Sequence, residues 1–433
     1  MTTMGMDSTL SIERPAATPP RRINRLARQV LFGRLNSLVE GRIEIRDGDG
    51  TAVFGAAGNA GPLGCSITVN RPRFYRRLLT GGTLAAAAAY LDGDWDCDDL
   101  TALFRCTLRG LGRTDLDRGS IPTTTAARMG HWLRRNTLRG SRRNIRDHYD
   151  LGNDLFALFL DEGMTYSAGI FEHPGATLEE AQRAKLDRLC RKLELGPRDH
   201  VLEIGSGWGS FALHAAGTYD CRVTTTTLSP AQYEVAVRRV REAGLSDRVT
   251  VVQEDYRALS GTYDKLVAIE MIEAVGADHL GIFFSRCADL LKPDGRMAIQ
   301  VITTGEQYYE AYRRSVDFIQ RYVFPGSHCP SLGALIAASG KSTDLRVVHL
   351  EDLTAHYART LQEWRARFLA QLTRVRELGY PERFIRLWDF YLQYCEAGFA
   401  ERHIGDLQIL LAKSEHRRGA PLPDLPIPEE PGS

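Results

Sequence analysis

The stretch that decides the fold is His200–Phe211, HVLEIGSGWGSF, in which an apolar strand ends in a Glu-x-Gly-x-Gly-x-Gly sequence. Glycine tolerates positive φ angles and lets a ligand approach the backbone closely, so these residues predict a tight turn from a strand into a helix. The first N–H groups of that helix have no partner within it and are available to a ligand. The sequence therefore predicts a site for an adenosine-containing ligand at this turn.

The acidic residue before the glycines indicates which ligand binds. A carboxylate at Glu203 would repel a pyrophosphate, but it can accept a hydrogen bond from the ammonium group of S-adenosylmethionine (SAM). A dinucleotide-binding fold also carries an acid about 20 residues after the glycines, and the next strand, 221–229, reads CRVTTTTLS without one. We therefore predict SAM rather than a dinucleotide.

Further strands follow at regular spacing. Val249–Gln253 ends in Glu254-Asp255-Tyr256, where a carboxylate and a ring can take the adenine amino group and face, and Tyr263–Ile269 precedes the strand Arg296–Ile302. Strands that alternate with helices in this way indicate a parallel sheet with both faces covered.

Seven motifs recur in an order that is specific to one family. They are YDLGND (149–154), TYS (165–167), LEIGSGWG (202–209), TLSPAQ (227–232), EDYR (254–257), IEMIE (269–273) and FIQRYVFPG (318–326). With these motifs the chain resembles the cyclopropane-fatty-acyl-phospholipid synthases and the related mycolic-acid methyltransferases, from about residue 74 to about residue 413.

The resemblance implies an α/β fold, namely a Rossmann-like SAM-dependent methyltransferase with a doubly wound, mostly parallel sheet, helical insertions and a smaller α+β N-terminal domain. We expect a disordered N-terminus at 1–20, an N-terminal lipid-associated domain at 21–125, a basic linker at 126–147, the catalytic domain at 148–415 and a disordered Pro-rich tail at 416–433.

Two finer predictions concern individual elements. Alternating segments at Arg42–Arg46 and Ser66–Asn70 predict a small antiparallel sheet in the N-terminal domain. The aromatic stretch Phe384–Lys413 predicts a long helix, and the resemblance implies that such helices cap the sheet and wall an acyl-chain tunnel.

Composition limits the partners. The chain has 55 Lys and Arg against 54 Asp and Glu, a net charge of +1, so nothing in the balance favours nucleic acid. Eight cysteines show no zinc-like spacing, and no metal site is predicted. The residues 128–146 hold seven arginines and no acid, and with the apolar anchor Trp132 they suit an anionic membrane surface or a solvated linker. We expect a cytoplasmic protein, peripheral at the inner face of the membrane; a homodimer stays open.

The resemblance also implies a mechanism. A cis alkene of a phospholipid acyl chain takes a methyl group from SAM, and a base must then remove a proton from the new methyl group to close a cyclopropane ring. In the synthases the base is a bicarbonate ion held by a cysteine position, a glutamate, a histidine, an isoleucine and a tyrosine. By motif these catalytic positions are Ala168, Glu273, Gln300, Ile302 and Tyr357, so that two of the five side chains have changed.

The cofactor contacts form a second set of expected site residues. The residues expected to bind SAM are Tyr166, Ser167, Glu203, Gly205, Gly207, Thr227, Gln232 and Asp255.

Three hypotheses follow from these assignments. The leading one is a SAM-dependent synthase of cyclopropane fatty acids on membrane phospholipids. The alternative is a fatty-acyl C-methyltransferase with a methylene- or methyl-branched product, because Ala168 and Gln300 alter the predicted bicarbonate site. The third is a non-catalytic lipid-binding relative.

Overall fold

The computed structural model describes residues 21–55, 63–110 and 152–417. The predicted N-terminal segment 1–20 and the basic linker 126–147 lie outside these residues, as does the tail 416–433 from residue 418 onward. Within the described ranges, no helix combines the length and the hydropathy needed to cross a membrane.

The N-terminal part forms a small sheet flanked by helices. Its elements are α1 (Arg21–Leu35), β1 (Arg42–Asp47), β2 (Gly50–Phe54), β3 (Gly64–Val69), α2 (Arg73–Leu91), β4 (Trp95–Cys97) and α3 (Leu100–Gly110). Alternate residues of β1, among them Ile43 and Ile45, are buried beneath the helices.

The pairing of this sheet differs from the prediction. The strand order is β2-β1-β3-β4, and β1 runs parallel to β3, whereas the other neighbours are antiparallel. The antiparallel pairing predicted for Arg42–Arg46 and Ser66–Asn70 is therefore wrong. The reason is the strand β2, which the sequence analysis missed: it returns antiparallel to β1, and the chain then crosses to the other edge of β1, so β3 runs parallel to it.

The second part is built on a seven-stranded sheet. Its strands are β5 (His200–Ile204), β6 (Arg222–Thr226), β7 (Val249–Val252), β8 (Tyr263–Ile269), β9 (Leu291–Thr304), β10 (Arg346–Asp352) and β11 (Ile404–Ala412). Its helices are α4 (Asn153–Ala157), α5 (Leu178–Leu193), α6 (Ser210–Tyr219), α7 (Pro230–Glu242), α8 (Leu280–Leu290), α9 (Glu306–Tyr312), α10 (Phe318–Tyr322), α11 (Leu332–Ser342), α12 (Thr354–Ala370), α13 (Leu372–Glu377) and α14 (Glu382–Ala400), with 3₁₀ turns at Ile272–Ala274 and Ala277–His279.

Strand order explains where a ligand can bind. The order is β10-β11-β9-β8-β5-β6-β7, with β7, β6, β5, β8 and β9 parallel and the other two antiparallel. The chain leaves β5 toward β6 on one side and returns to β8 on the other, which opens a crevice at the carboxyl end of β5. The doubly wound, mostly parallel α/β fold is confirmed, and the glycine turn lies at that crevice.

The C-terminal residues 384–413 do not form one helix. The predicted helix Phe384–Lys413 is a helix only to Ala400, and the strand β11 follows at Ile404–Ala412. Residues 408–412 are all buried, so this strand lacks the alternation that separates a strand from a helix in the sequence.

The helices α3 and α14 join the two parts. The N–H of Leu100 donates to Gln393 Oε1 at 3.0 Å, and the rings of Phe104 and Phe390 pack edge to face with centroids 5.1 Å apart. Arg105 donates to Glu401 at 2.7 Å on the same interface. One hydrophobic cluster therefore spans both parts, and the second part holds two further clusters of its own.

Candidate active site

A cavity of about 1180 Å³ lies at the carboxyl end of the parallel strands and extends to the N-terminal part. All of the predicted site residues line it except Ala168 and Gln300. The sequence motifs therefore converge on one space, and the two exceptions are the positions that differ from the family's bicarbonate site.

The glycine turn has the predicted geometry. Gly205 has a φ of +94°, and a Cβ atom there would lie 3.0 Å from Met271 Cγ, so only glycine fits without strain. Gly207 has a φ of +48° with nothing within 4 Å of a Cβ atom, which leaves its backbone open to a ligand.

A buried carboxyl group stands beside this turn. Glu203 is 2% exposed, and its Oε2 accepts a hydrogen bond of 2.6 Å from the hydroxyl of Thr225 on the neighbouring strand. Burial raises the pKa of Glu203 to about 8, while the hydrogen bond and the charge of Lys185 act in the opposite direction. A cationic ligand would stabilise the ionised form, which fits the ammonium group of SAM.

Two polar pairs lie farther along the same edge of the sheet. Thr227 donates to Gln232 Oε1 at 2.9 Å, and Ser229 caps α7 so that Gln232 faces the strand ends. Both oxygens of Asp255 accept hydrogen bonds from Arg257, at 2.8 and 2.7 Å. Asp255 is thus held in place by Arg257, and its contact with the adenosine end stays a prediction.

Two side chains of α5 form hydrogen bonds with the TYS segment. Lys185 Nζ donates to Ser167 Oγ at 2.6 Å, and Gln182 Nε2 donates to the Ser167 carbonyl at 2.7 Å. The hydroxyls of Tyr166 and Tyr391 lie 2.9 Å apart. Burial lowers the pKa of Lys185 to about 8 although acids surround it.

The predicted bicarbonate donors are occupied by a different group. Glu270 Oε1 accepts from the Ala168 N–H and from Gln300 Nε2, both at 2.9 Å, and Glu270 Oε2 accepts from the Tyr357 hydroxyl at 2.7 Å. Glu270 lines the cavity and covers Ala168 and Gln300. Burial raises the pKa of Glu270, and these donors oppose that shift.

The remaining predicted donor serves a second carboxyl group. The Ile302 N–H donates to Glu273 Oε1 at 2.5 Å, while Glu273 Oε2 is buried without a hydrogen-bond partner among the described residues. Burial and the nearby charge of Glu270 raise the pKa of Glu273 to about 8. Glu270 and Glu273 form a pair of unequal carboxyl groups that differ in how many donors each receives.

Gln300 is fixed by the last strand. Its Nε2 also donates to Asp406 Oδ2 at 3.0 Å, and its Oε1 accepts from Gln408 Nε2 at 3.1 Å. The register of β9 and β11 sets Gln408 opposite Gln300 and Asp406 opposite Ile302. Burial raises the pKa of Asp406 well above its usual range.

The cavity fits SAM and does not fit bicarbonate. For SAM, a buried carboxyl group, an open glycine backbone and a paired acid line one wall. For bicarbonate, the donors of Ala168, Gln300 and Tyr357 already bind Glu270, and that of Ile302 binds Glu273. An added anion would meet carboxylates instead of donors.

Sequence reasoning missed Glu270, Lys185 and Asp406 as residues of this site. Glu270 stands in the quoted IEMIE motif, three residues before Glu273, so a second carboxylate at a strand end was visible as a signal. Asp406 is an isolated acid within an apolar strand, which is unusual enough to indicate a buried role.

Comparisons with known proteins identify the family of this chain. The family model described as mycolic acid cyclopropane synthetase matches residues 136–409. The tuberculostearic acid methyltransferase UfaA1 of Mycobacterium tuberculosis is 38% identical over 84% of this chain and 86% of its own length. The cyclopropane-fatty-acyl-phospholipid synthase of Escherichia coli K12 is 34% identical over 82% of this chain and 89% of its own.

A solved structure is similar as well. The mycolic acid cyclopropane synthase CmaA1, complexed with SAH and CTAB, has a TM-score of 0.60 and 31% identity, and the match covers 63% of this chain and 98% of that one. These relatives are enzymes, so the hypothesis of a non-catalytic relative is set aside. The chain belongs to the mycolic acid cyclopropane synthetase family and is a SAM-dependent methyltransferase.

Proposed function

We propose that this enzyme methylates a cis double bond in the acyl chain of a membrane phospholipid and leaves a methylene branch on that chain. One observation carries the proposal: a single cavity joins the glycine turn, the Glu270 and Glu273 pair and the apolar wall of the N-terminal part. Such a cavity can hold a methyl donor at one end and a long apolar substrate at the other.

The lining of the far end supports an acyl chain as substrate. Ile45 and Ile67 of the small sheet, Leu78 of α2 and Phe104 of α3 all face this space. Burying methylene groups against such a wall stabilises the complex by about 0.8 kcal/mol for each group. Glu203, Asp255, Glu270 and Glu273 line the cavity instead at or just after the parallel strands.

Bound SAM supplies an electrophilic methyl group, which the π electrons of the alkene take as the sulfonium becomes a thioether. Glu203 and Asp255 bind the cofactor at its charged and adenine ends, and the glycine turn lets it lie against the backbone. The rings of Tyr166, Phe324 and Tyr391 keep water out, and their faces stabilise the positive charge that develops on the acyl chain.

The choice of product depends on what happens to that cation. Both candidate products lose a proton from the new methyl group. A ring closes if the proton leaves first, whereas a shift of hydride from the methylated carbon gives a tertiary cation, and proton loss then gives a methylene branch. Two observations support the branched product. The donors of Ala168 and Gln300 bind Glu270, and the chain is similar to a tuberculostearic acid methyltransferase. This reverses the order of the two hypotheses drawn from the sequence.

Cyclopropane formation is the second candidate. Glu273, Ile302 and Tyr357 are retained at their positions, and the similarity to the cyclopropane synthase of Escherichia coli favours it.

Mass spectrometry separates the two products. The enzyme is incubated with trideuteromethyl-SAM and liposomes of a cis-monounsaturated phospholipid, and the labelled chains are then treated with ozone. We expect two retained deuterium atoms and a chain that ozone cleaves at the new methylene group. An ozone-resistant chain with two deuterium atoms would identify cyclopropane instead, and liposomes of saturated phospholipid serve as the blank.

For access to lipid we propose the outer face of α1. Ile23 and Leu26 are 45% and 59% exposed beside the exposed Arg22 and Arg25, while Ala27 and Leu35 of the same helix are buried. Apolar and basic side chains on one exposed helix face suit the surface of an anionic membrane. Flotation with anionic liposomes tests this, and Ile23→Ser with Leu26→Ser should reduce the bound fraction.

A further inference from the structure

Four hydrogen-bond donors define the place that the family resemblance gives to bicarbonate. In this chain three of them, on Ala168, Gln300 and Tyr357, bind the carboxylate of Glu270. The fourth, the Ile302 N–H, binds Glu273. An anion already occupies the place, and it is covalently part of the enzyme.

We propose that Glu270 is the catalytic base of this enzyme and acts without bicarbonate. The inference rests on the proposed function, since it names the group that removes the proton from the methylated acyl chain.

The hydrogen-bond count leaves Glu270 able to accept that proton. A carboxylate offers about four acceptor positions. Two donors share Oε1 and one binds Oε2, so Oε2 keeps one position that no donor of the described residues takes. Glu270 lines the cavity, and a substrate within it meets this carboxylate before it meets Ala168 or Gln300.

The two carboxyl groups of the pair are suited to different protonation states. Three donors stabilise a negative charge on Glu270, whereas Glu273 receives a single N–H and has an unpartnered Oε2. Two carboxyl groups that repel each other in one cavity do not both ionise readily, and more donors favour the ionised form of the group that receives them. Glu270 is therefore the better stabilised carboxylate of the two, and the positive charge of Lys185 adds to this effect.

The backbone holds Glu270 in an unusual conformation. Its φ is +47°, in the left-handed region, which is strained for a residue other than glycine. Its N–H donates to the Gln300 carbonyl at 2.8 Å, and Gln300 is in turn fixed by Asp406 and Gln408. This arrangement keeps the carboxylate in one position before substrate arrives, which is what a base needs.

The step balances. Glu270 Oε2 forms an O–H bond with a hydrogen of the new methyl group. The electron pair of the broken C–H bond forms the carbon–carbon π bond of the methylene branch and cancels the positive charge of the chain. Glu270 is left as a neutral acid and later returns the proton to solvent, so no further reactant is needed.

The first test measures binding and needs no turnover. Glu270→Gly removes the carboxylate, and glycine is unstrained at this φ, so the variant should fold and retain its affinity for SAM. Sodium bicarbonate or sodium formate is titrated by calorimetry into protein saturated with S-adenosylhomocysteine. We expect heat of binding for Glu270→Gly and none for the unaltered enzyme, and saturable binding to the unaltered enzyme would overturn the proposal.

The second test measures turnover in buffer freed of carbon dioxide. We expect full activity of the unaltered enzyme and a loss of at least about 100-fold for Glu270→Gln, with SAM affinity kept. Bicarbonate or formate should restore Glu270→Gly but not Glu270→Gln, whose amide still fills the place. Glu396→Gln is the control, because it removes a buried carboxyl group at the α3–α14 interface, which does not line the cavity.

The outcomes for the base and for the product are separate. A requirement for bicarbonate in the unaltered enzyme, or normal turnover of Glu270→Gln, refutes the role of Glu270. A cyclopropane product with an essential Glu270 and no bicarbonate requirement refutes the proposed product and supports the base. If no phospholipid is methylated, the proposed function fails, and the calorimetric titrations still decide whether Glu270 occupies the anion's place.

Discussion

Glu203 shows how one residue couples the stability of the protein to binding. Its pKa is raised to about 8 by burial, against a value near 4.3 in an unfolded chain. Each tenfold change in the acid dissociation constant corresponds to about 1.4 kcal/mol. Because the unfolded chain loses this proton first, the contribution of the neutral acid is complete below pH 4 and is lost as the pH rises toward 8.

Replacing Glu203 by glutamine should separate the two effects. Without ligand, the melting temperature of Glu203→Gln should exceed that of the unaltered protein at pH 8, and the difference should shrink at pH 5, because glutamine does not titrate. SAM affinity should fall at least about tenfold, since a lost charged hydrogen bond is worth about 1.5–3 kcal/mol. Scanning calorimetry and isothermal titration measure these quantities.

The exposed Glu242→Gln is the control for this experiment and should change neither quantity. A pH-independent difference between Glu203→Gln and the unaltered protein would show that Glu203 is ionised throughout.

From the sequence, single residues within a motif could be identified, but not the groups with which they form hydrogen bonds. Glu203 and the glycines follow from local spacing, and Glu273 follows from the family resemblance. The role of Glu270 depends on contacts 102 residues away at Ala168, 30 at Gln300 and 87 at Tyr357. Only the fold brings these groups together. The sequence alone therefore could not show that Glu270 binds the donors predicted for bicarbonate.

The turn between β5 and α6 is the element on which cofactor binding depends. Gly205 combines a positive φ with a close approach to Met271, and its N–H donates to the Thr226 carbonyl at 3.0 Å. An alanine there must both strain the backbone and displace the Met271 side chain.

We expect Gly205→Ala to abolish measurable SAM binding and to lower the free energy of unfolding by about 1–3 kcal/mol. Gly244→Ala is the matched control: Gly244 has a φ of +68°, but nothing lies within 4 Å of its added Cβ and it does not line the cavity. Denaturant unfolding and SAM titration compare the two variants. If Gly205→Ala behaves like Gly244→Ala in both, the contact with Met271 is not important.

Among the elements, the parallel strands were predictable and the later antiparallel strands were not. The former alternate with helices and end in polar motifs. Strand β11 is buried along most of its length and follows the aromatic helix α14 after three residues, so its composition does not distinguish it from a continuing helix. Strand β2 is short, and its partly exposed residues gave no apolar signal.

One cavity extends through both parts of the molecule. Both parts therefore determine the length of the acyl chain that fits. Leu78 lies in that cavity on the N-terminal side, far along the sequence from the glycine turn. Although the resemblance predicted an acyl tunnel walled by C-terminal helices, α2, α3 and the small sheet contribute to the wall as well.

Leu78→Trp should shorten the acyl chain that the enzyme accepts. Loss of room for one methylene in an apolar pocket costs about 1–3 kcal/mol. The ratio of methylated C18 to methylated C16 chains from mixed liposomes should therefore fall at least about fivefold by mass spectrometry. Val53→Trp, at a 52% exposed position of the same small sheet, should leave the ratio unchanged. An unchanged ratio in both variants would place the end of the acyl chain elsewhere.

Strand β11 has a consequence for the time at which the enzyme becomes active. It lies between β9 and β10, and its residues Asp406 and Gln408 fix Gln300, which in turn holds Glu270. During synthesis the glycine turn emerges from the ribosome about 200 residues before this strand does. A nascent chain can thus present its glycine turn early, but the proposed base is held in place only once β11 has been translated, so loss of the proton, and with it turnover, must wait for that strand.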